Sequence, residues 1–277
     1  MAARFWVGGT GTWDASDTTH WASSSGGAGG ASVPGTSDDV TFDGSSGGST
    51  VTVNTTVTIV SLTLSAFTGT LDFSANNNNV TLSAASNALI NTGSGTRTFN
   101  MGNGTWTLSG ASAVWNQNGA TNLTFNANSS TIAFTGSGAK TFNAGTSRTY
   151  NVVTLVGAAA GILGISATTG LTIGTLTISA PNRVTFQQGV TTTITTLSNI
   201  SGNSSQQVGL SSSNPAFGAA TISSGNNFTG DYCAFNGMTF SGAGTFAGTN
   251  SFNLGGNSGI TITSPSGSGG GSRVFGG

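Results

Sequence analysis

Residues 49–64 read Ser-Thr-Val-Thr-Val-Asn-Thr-Thr-Val-Thr-Ile-Val-Ser-Leu-Thr-Leu. Apolar side chains alternate with threonine for three to five residues, pause at a polar break, and resume. Successive side chains of a strand point to opposite faces, so this period of two predicts short strands with one buried face and one hydroxylated face. The pattern continues outward from there. Thr70-Leu71-Asp72-Phe73, Asn79-Val80-Thr81-Leu82, Leu123-Thr124-Phe125, Thr131-Ile132-Ala133-Phe134, Leu171-Thr172-Ile173, Leu176-Thr177-Ile178 and Ile260-Thr261-Ile262 all follow it, separated by Gly, Asn and Ser. No helical period intervenes, which predicts an all-β chain.

Composition agrees. The 277 residues include no Glu and a single Lys, Lys140, so the usual residues of an exposed helical face are missing. Val, Ile, Leu and Phe together make up a low share of the chain, which alone would suit disorder. Disorder also needs high net charge, and six Lys+Arg against seven acids give −1. With sixteen Phe spread along the chain, a core can form.

A repeat selects among all-β architectures. Thr92-Gly-Ser-Gly-Thr-Arg-Thr-Phe-Asn-Met-Gly102 matches Thr135-Gly-Ser-Gly-Ala-Lys-Thr-Phe-Asn-Ala-Gly145 at nine of eleven positions, counting Arg/Lys, 43 residues apart. Read as two coils of about 21–22 residues, this predicts a β-solenoid, parallel β-helix-like, with about ten coils over 49–263; a β-sandwich or jelly roll is the alternative. Residues 1–48, rich in Trp, Asp and Gly, form a cap or attachment segment. Residues 264–277 form a Gly/Ser tail, in which Arg273, Val274 and Phe275 could anchor the chain to a neighbouring subunit.

Candidate chemistry is sparse. The body holds two acids, Asp72 and Asp231, far apart in sequence, where glycoside cleavage needs a flanking pair. A Ser-His-Asp triad would need His20, the single His, and no nucleophile elbow accompanies it. The reading is a non-enzymatic protein with no cofactor. Asp14, Asp17, Asp38, Asp39 and Asp43 could offer oxygens to Ca²⁺, but Asp is also a turn residue and the spacing is not that of an EF-hand. Trp6, Trp13, Trp21 and His20 could stack on a sugar or contact a partner; the competing role is a hydrophobic cluster over the first open coil. Trp106 and Trp115, inside the body, read as core or inter-subunit residues. Thr-x-Thr pairs such as Thr56/Thr58 and Thr261/Thr263 are of the kind found on ice-binding faces, yet they do not repeat in register. Scattered cations exclude a phosphate-binding stripe, no apolar run reaches membrane-spanning length, and the start lacks an apolar signal region.

The segment Arg4-Phe-Trp-Val-Gly-Gly-Thr-Gly-Thr-Trp-Asp14, with Thr19-His20-Trp21, residues 26–34 and Asp38-Asp-Val-Thr-Phe-Asp43, resembles an entry segment of virion proteins of tailed bacteriophages. Similar Trp-Val-Gly-Gly-x-Gly-x-Trp segments occur in large bacterial β-helical exoproteins. The resemblance runs from Arg4 to Asp43 and leaves the repetitive body untouched. It implies a structural role on the virion surface, as a decoration protein, head fibre or tail fibre made in the host cytoplasm. The partners it implies are other virion proteins and further copies of the chain, a trimer in such assemblies. The alternative it implies is a host-recognition module for surface glycans or proteins.

Overall fold

In a computed structural model, residues 2–157, 160–198 and 200–266 are described. Arg273, Val274 and Phe275, the candidate anchor, lie outside them. The chain is all-β, with about 1% helix, and winds into a β-solenoid of about 8 turns. Its longest wall stacks eleven parallel strands, from Ala2–Trp6 to Phe252–Asn253, which at about 4.8 Å per step span about 48 Å.

Its walls are parallel sheets. The first has twelve strands, from Trp21–Ala22 at one end to Phe252–Asn253 at the other; the third has nine, from Val57–Ile59 to Met238–Ser241. A second sheet of five strands, ending at Leu123–Asn126, completes a three-walled cross-section in the early coils. Three strands, Phe228–Asp231, Phe246–Thr249 and Thr261–Ile262, restore a third wall near the far end.

Register fixes what is buried. In the third sheet Val57, Val80, Trp106, Ile132, Val153, Leu176 and Leu197 form one inward column. The first sheet stacks Val40, Leu62, Leu89, Trp115, Phe142 and Ile165 in the same way. Trp106 and Trp115 are thus core residues with 0% exposure, and their rings meet edge to face at 5.8 Å. Outward positions carry hydroxyls and amides: Asn126 donates to the Asn100 side-chain carbonyl oxygen at 2.7 Å across two rungs of the second sheet. Corners need backbone in the left-handed region, and five of the eight non-glycine residues found there are Asn, which tolerates it best.

The 43-residue match is not two coils. Phe99 lies in the second sheet, between Leu71 and Phe125, whereas Phe142 lies in the first, between Trp115 and Ile165. Coils are also uneven. Leu62, Leu89, Trp115 and Phe142 stand on consecutive rungs, and so do Ile165 and Phe186, yet the last step takes fewer residues than any of the earlier three. The longer early coils explain why there are about 8 turns and not ten. What recurs is a corner. In each copy a cation enters the strand with 2% exposure and donates to the carbonyl two residues earlier, Arg97 to Gly95 at 2.8 Å and Lys140 to Gly138 at 2.7 Å.

Candidate functional site

The N-terminal aromatic residues are structural. Trp6, Trp13 and Trp21 have 0%, 1% and 0% exposure and pack with Phe42; Trp6 meets Trp21 edge to face at 5.1 Å. Trp21–Ala22 pairs antiparallel with Ala2–Trp6, closing the otherwise open edge of the first sheet. His20 lies flat on Trp6, centroids 4.6 Å apart, and its Nδ1 donates to the Val7 carbonyl at 2.9 Å. None of the three indoles offers a face to a sugar. His20 is held by ring stacking on Trp6 and by the Val7 carbonyl.

The carboxylates are engaged in turns or in bonds to a neighbouring rung. Asp14 accepts the N–H groups of Ser16 and Asp17, both at 2.7 Å, and these bonds hold its pKa below the ordinary carboxylate value. Asp17 is lowered in the same sense, first by the Thr19 hydroxyl and then by the Thr19 N–H. Asp43 caps the short 3-10 turn Gly44–Ser46, and Asp38 accepts from the Gly35 N–H beside Arg4. Asp39 accepts from Ser61. Among the described residues no three metal-capable side chains converge. Asp72 accepts from Ser74, and Asp231 accepts from Thr249 and Asn250. The first lies in the second sheet and the second in the terminal wall, so the two carboxylates do not flank a common cleft.

A different place has the character of a binding site. The second sheet ends at Leu123–Asn126, whose strand is paired on one side only. One coil later its place is taken by the first half of a single longer strand, Thr149–Leu155, which pairs onward with Leu171–Ile178 and not back to Leu123–Asn126. The burial alternation of Leu171–Ile178 skips a beat at Gly174-Thr175, so this strand bends around the corner. A Cβ on Gly174 would stand 2.6 Å from the Asn151 carbonyl, which explains the glycine.

The ladder therefore opens between these coils, leaving a groove of about 500 Å³. Phe125 lies at its floor, backed by the buried Tyr150 with ring centroids 4.9 Å apart, and Asn126, Asn128, Asn151 and Thr195 form its rim. Arg148 spans the break, donating to the Leu123 carbonyl at 3.0 Å, while its buried Nε has no protein partner. Tyr150 donates to the Ala144 carbonyl at 2.9 Å, and burial raises its pKa well above the ordinary phenol value. It stays neutral and cannot serve as a base near neutral pH. Alternation alone places Phe125 on a strand and says nothing of Tyr150 and Asn151. The available signal is the change from two short apolar segments per coil to one of seven or eight residues.

No family model, curated protein or solved structure matches the chain.

Proposed function

We propose that the chain is a structural, non-enzymatic component of a particle surface, a short rod of the decoration or fibre type in a tailed-phage virion. The reading is supported by the continuous register of the first and third sheets. Successive coils contribute to the same inward columns, the carboxylates serve turns or bond a neighbouring rung, and the end of the first sheet is closed by its own antiparallel strand. Such a rod draws its stability from stacked main-chain bonds and a continuous core, as befits a scaffold. The N-terminal resemblance supplies the particle. Gold-labelled antibody against the chain, viewed on particles from its source, tests this. Labelling at symmetry-related exterior positions is expected, and label confined to soluble protein would refute it.

The groove favours a second reading, recognition of a host-surface glycan. Its half-buried Phe125 ring, amide and hydroxyl rim and absence of lining charge suit a neutral sugar better than a phosphate or a carboxylate. Glycan-array binding that disappears in Asn126→Ala/Asn151→Ala and survives in Trp13→Phe would support it; an array blank for the native chain would remove it.

A further inference from the structure

We propose that the outer face of the third sheet binds ice. The uneven coil lengths that hide any period in the sequence vanish in the fold, where hydrogen bonding brings threonines of successive coils into register, Thr105/Thr107 and Thr175/Thr177 as Thr-x-Thr pairs. One outward column runs Thr58, Thr81, Thr107, Ala133, Thr154, Thr177, Ser198. A parallel column two residues away runs Thr105, Thr131, Val152, Thr175, Thr196. Rungs about 4.8 Å apart and a spacing of about 6.7 Å along each strand make a rectangular grid, occupied by threonine at all but three of these twelve points, one of the three being Ser198 with its own hydroxyl. Of the pairs named from the sequence, Thr58 stands in this grid, whereas Thr261 lies in the terminal wall beside Ala247.

Three features select frozen water over other partners. First, no strand of this nine-stranded sheet carries an Asp, Lys or Arg, although the strands of the first sheet do. An ionic or phosphorylated partner has nothing to pair with, and no charge disorders nearby water. Second, the aromatic side chains of these strands face inward, which removes the stacking surface that a crystalline polysaccharide would use. Trp106, Phe134 and Tyr150 are buried. Third, the hydroxyls of Thr58, Thr81, Thr107, Thr154, Thr175 and Thr177 make no bond within the described residues and are left for solvent. β-Branching holds each χ1 in few rotamers, so methyl and hydroxyl are fixed before any ligand arrives, and little entropy is lost on binding. A regular array of rigid methyl and hydroxyl groups matches a lattice whose surface offers both cavities for methyls and hydrogen-bond partners for hydroxyls. This inference is independent of the particle role.

The test is ice recrystallisation inhibition with the full chain, together with the shape of a single ice crystal grown in its solution. The native chain is expected to slow grain growth and facet the crystal. Thr154→Lys/Thr177→Lys, placing two charges in the grid, is expected to lose both effects. Thr98→Lys/Thr124→Lys, on the outer face of the second sheet, is expected to keep them. If the first pair does not fold by circular dichroism, Thr196→Lys, at an already exposed position, replaces it. Grain growth at the buffer rate with the native chain overturns the proposal. So does equal loss in the second-sheet variant, or a native oligomer that Thr154→Lys/Thr177→Lys dissociates without any effect on ice.

Discussion

Replacing the two buried corner cations with methionine should give opposite results, although their sequence surroundings match. Arg97 is 2% exposed and donates to the Asn91 side-chain oxygen at 2.7 Å and to the carbonyls of Gly95 and Thr92 at 2.8 and 3.1 Å. Its longer contacts reach the carbonyls of Gly93, Asn91 and Thr121. Arg97→Met strands at least three acceptors in a corner that water reaches poorly. At about 1 kcal/mol or more for each, the loss is about 3 kcal/mol. Lys140 is equally buried, but its one hydrogen bond goes to Gly138, and burial pushes its pKa down. Among the described residues no acid pairs with it, so its desolvation is offset by a single carbonyl. Lys140→Met keeps the volume and removes that cost, with an outcome between no change and a gain of about 1 kcal/mol. Urea denaturation followed by circular dichroism reads both, provided the slopes of the transitions agree. Equal midpoint shifts in the two variants, or an Arg97→Met midpoint equal to native, would refute the reasoning.

Other consequences follow from particular contacts. Trp106→Ala removes a fully buried ring packed on Phe73 at 4.7 Å and Phe99 at 5.4 Å, and should cost about 3–5 kcal/mol by the same urea assay. Gly110→Ala would bring a Cβ to 1.8 Å from the Ala84 carbonyl, so the coils must part. Its melting temperature should fall, whereas Gly119→Ala, which has open space but a positive φ of 72°, should lose only about 1 kcal/mol. Cys233 is buried beside the Ile200 carbonyl and its thiol is pushed up to about 12 from 9.0, first by desolvation and then by Asp231. Below pH 9 folded and unfolded chains both hold this proton; between 9 and 12 only the folded chain does. Its contribution to stability should therefore fall by about 1.4 kcal/mol per pH unit across that window. Cys233→Ala should lack this term, and in the native chain the thiol should react with a disulfide reagent at pH 8 only after denaturant is added.

The strands are legible in the sequence because alternation survives at single-residue scale. Val57-Thr58-Ile59 and Leu171-Thr172-Ile173 announce their faces without knowledge of neighbours. The coil is not legible. Insertions at the corners make the step from Leu62 to Leu89 longer than the step from Ile165 to Phe186, so no fixed period exists to be read. The clearest repeat, at Arg97 and Lys140, marks a corner that occurs on two different walls. The same irregularity hides the threonine columns, since Thr81 and Thr107 become neighbours only through the intervening corner. Trp6, Trp13 and Trp21 are conspicuous by type, but an aromatic residue looks alike as a core residue and as a platform until its burial is known. The groove is illegible for a different reason: it arises where main-chain pairing stops, and residues such as Asn151 record that only indirectly.

Distances between spin labels along one column test the solenoid register most directly. In a Cys233→Ser background, labels at Thr58 and Thr177 stand five rungs apart, as do labels at Thr81 and Ser198. Both pairs should give about 24 Å between their backbone positions, and Thr58 with Ser198, one rung further, about 29 Å. Double electron–electron resonance measures this range. Two equal distances and a third longer by one rung are expected. Unequal distances for the first two pairs, or a third that does not lengthen, would contradict the stacked-coil fold on which the functional proposals rest.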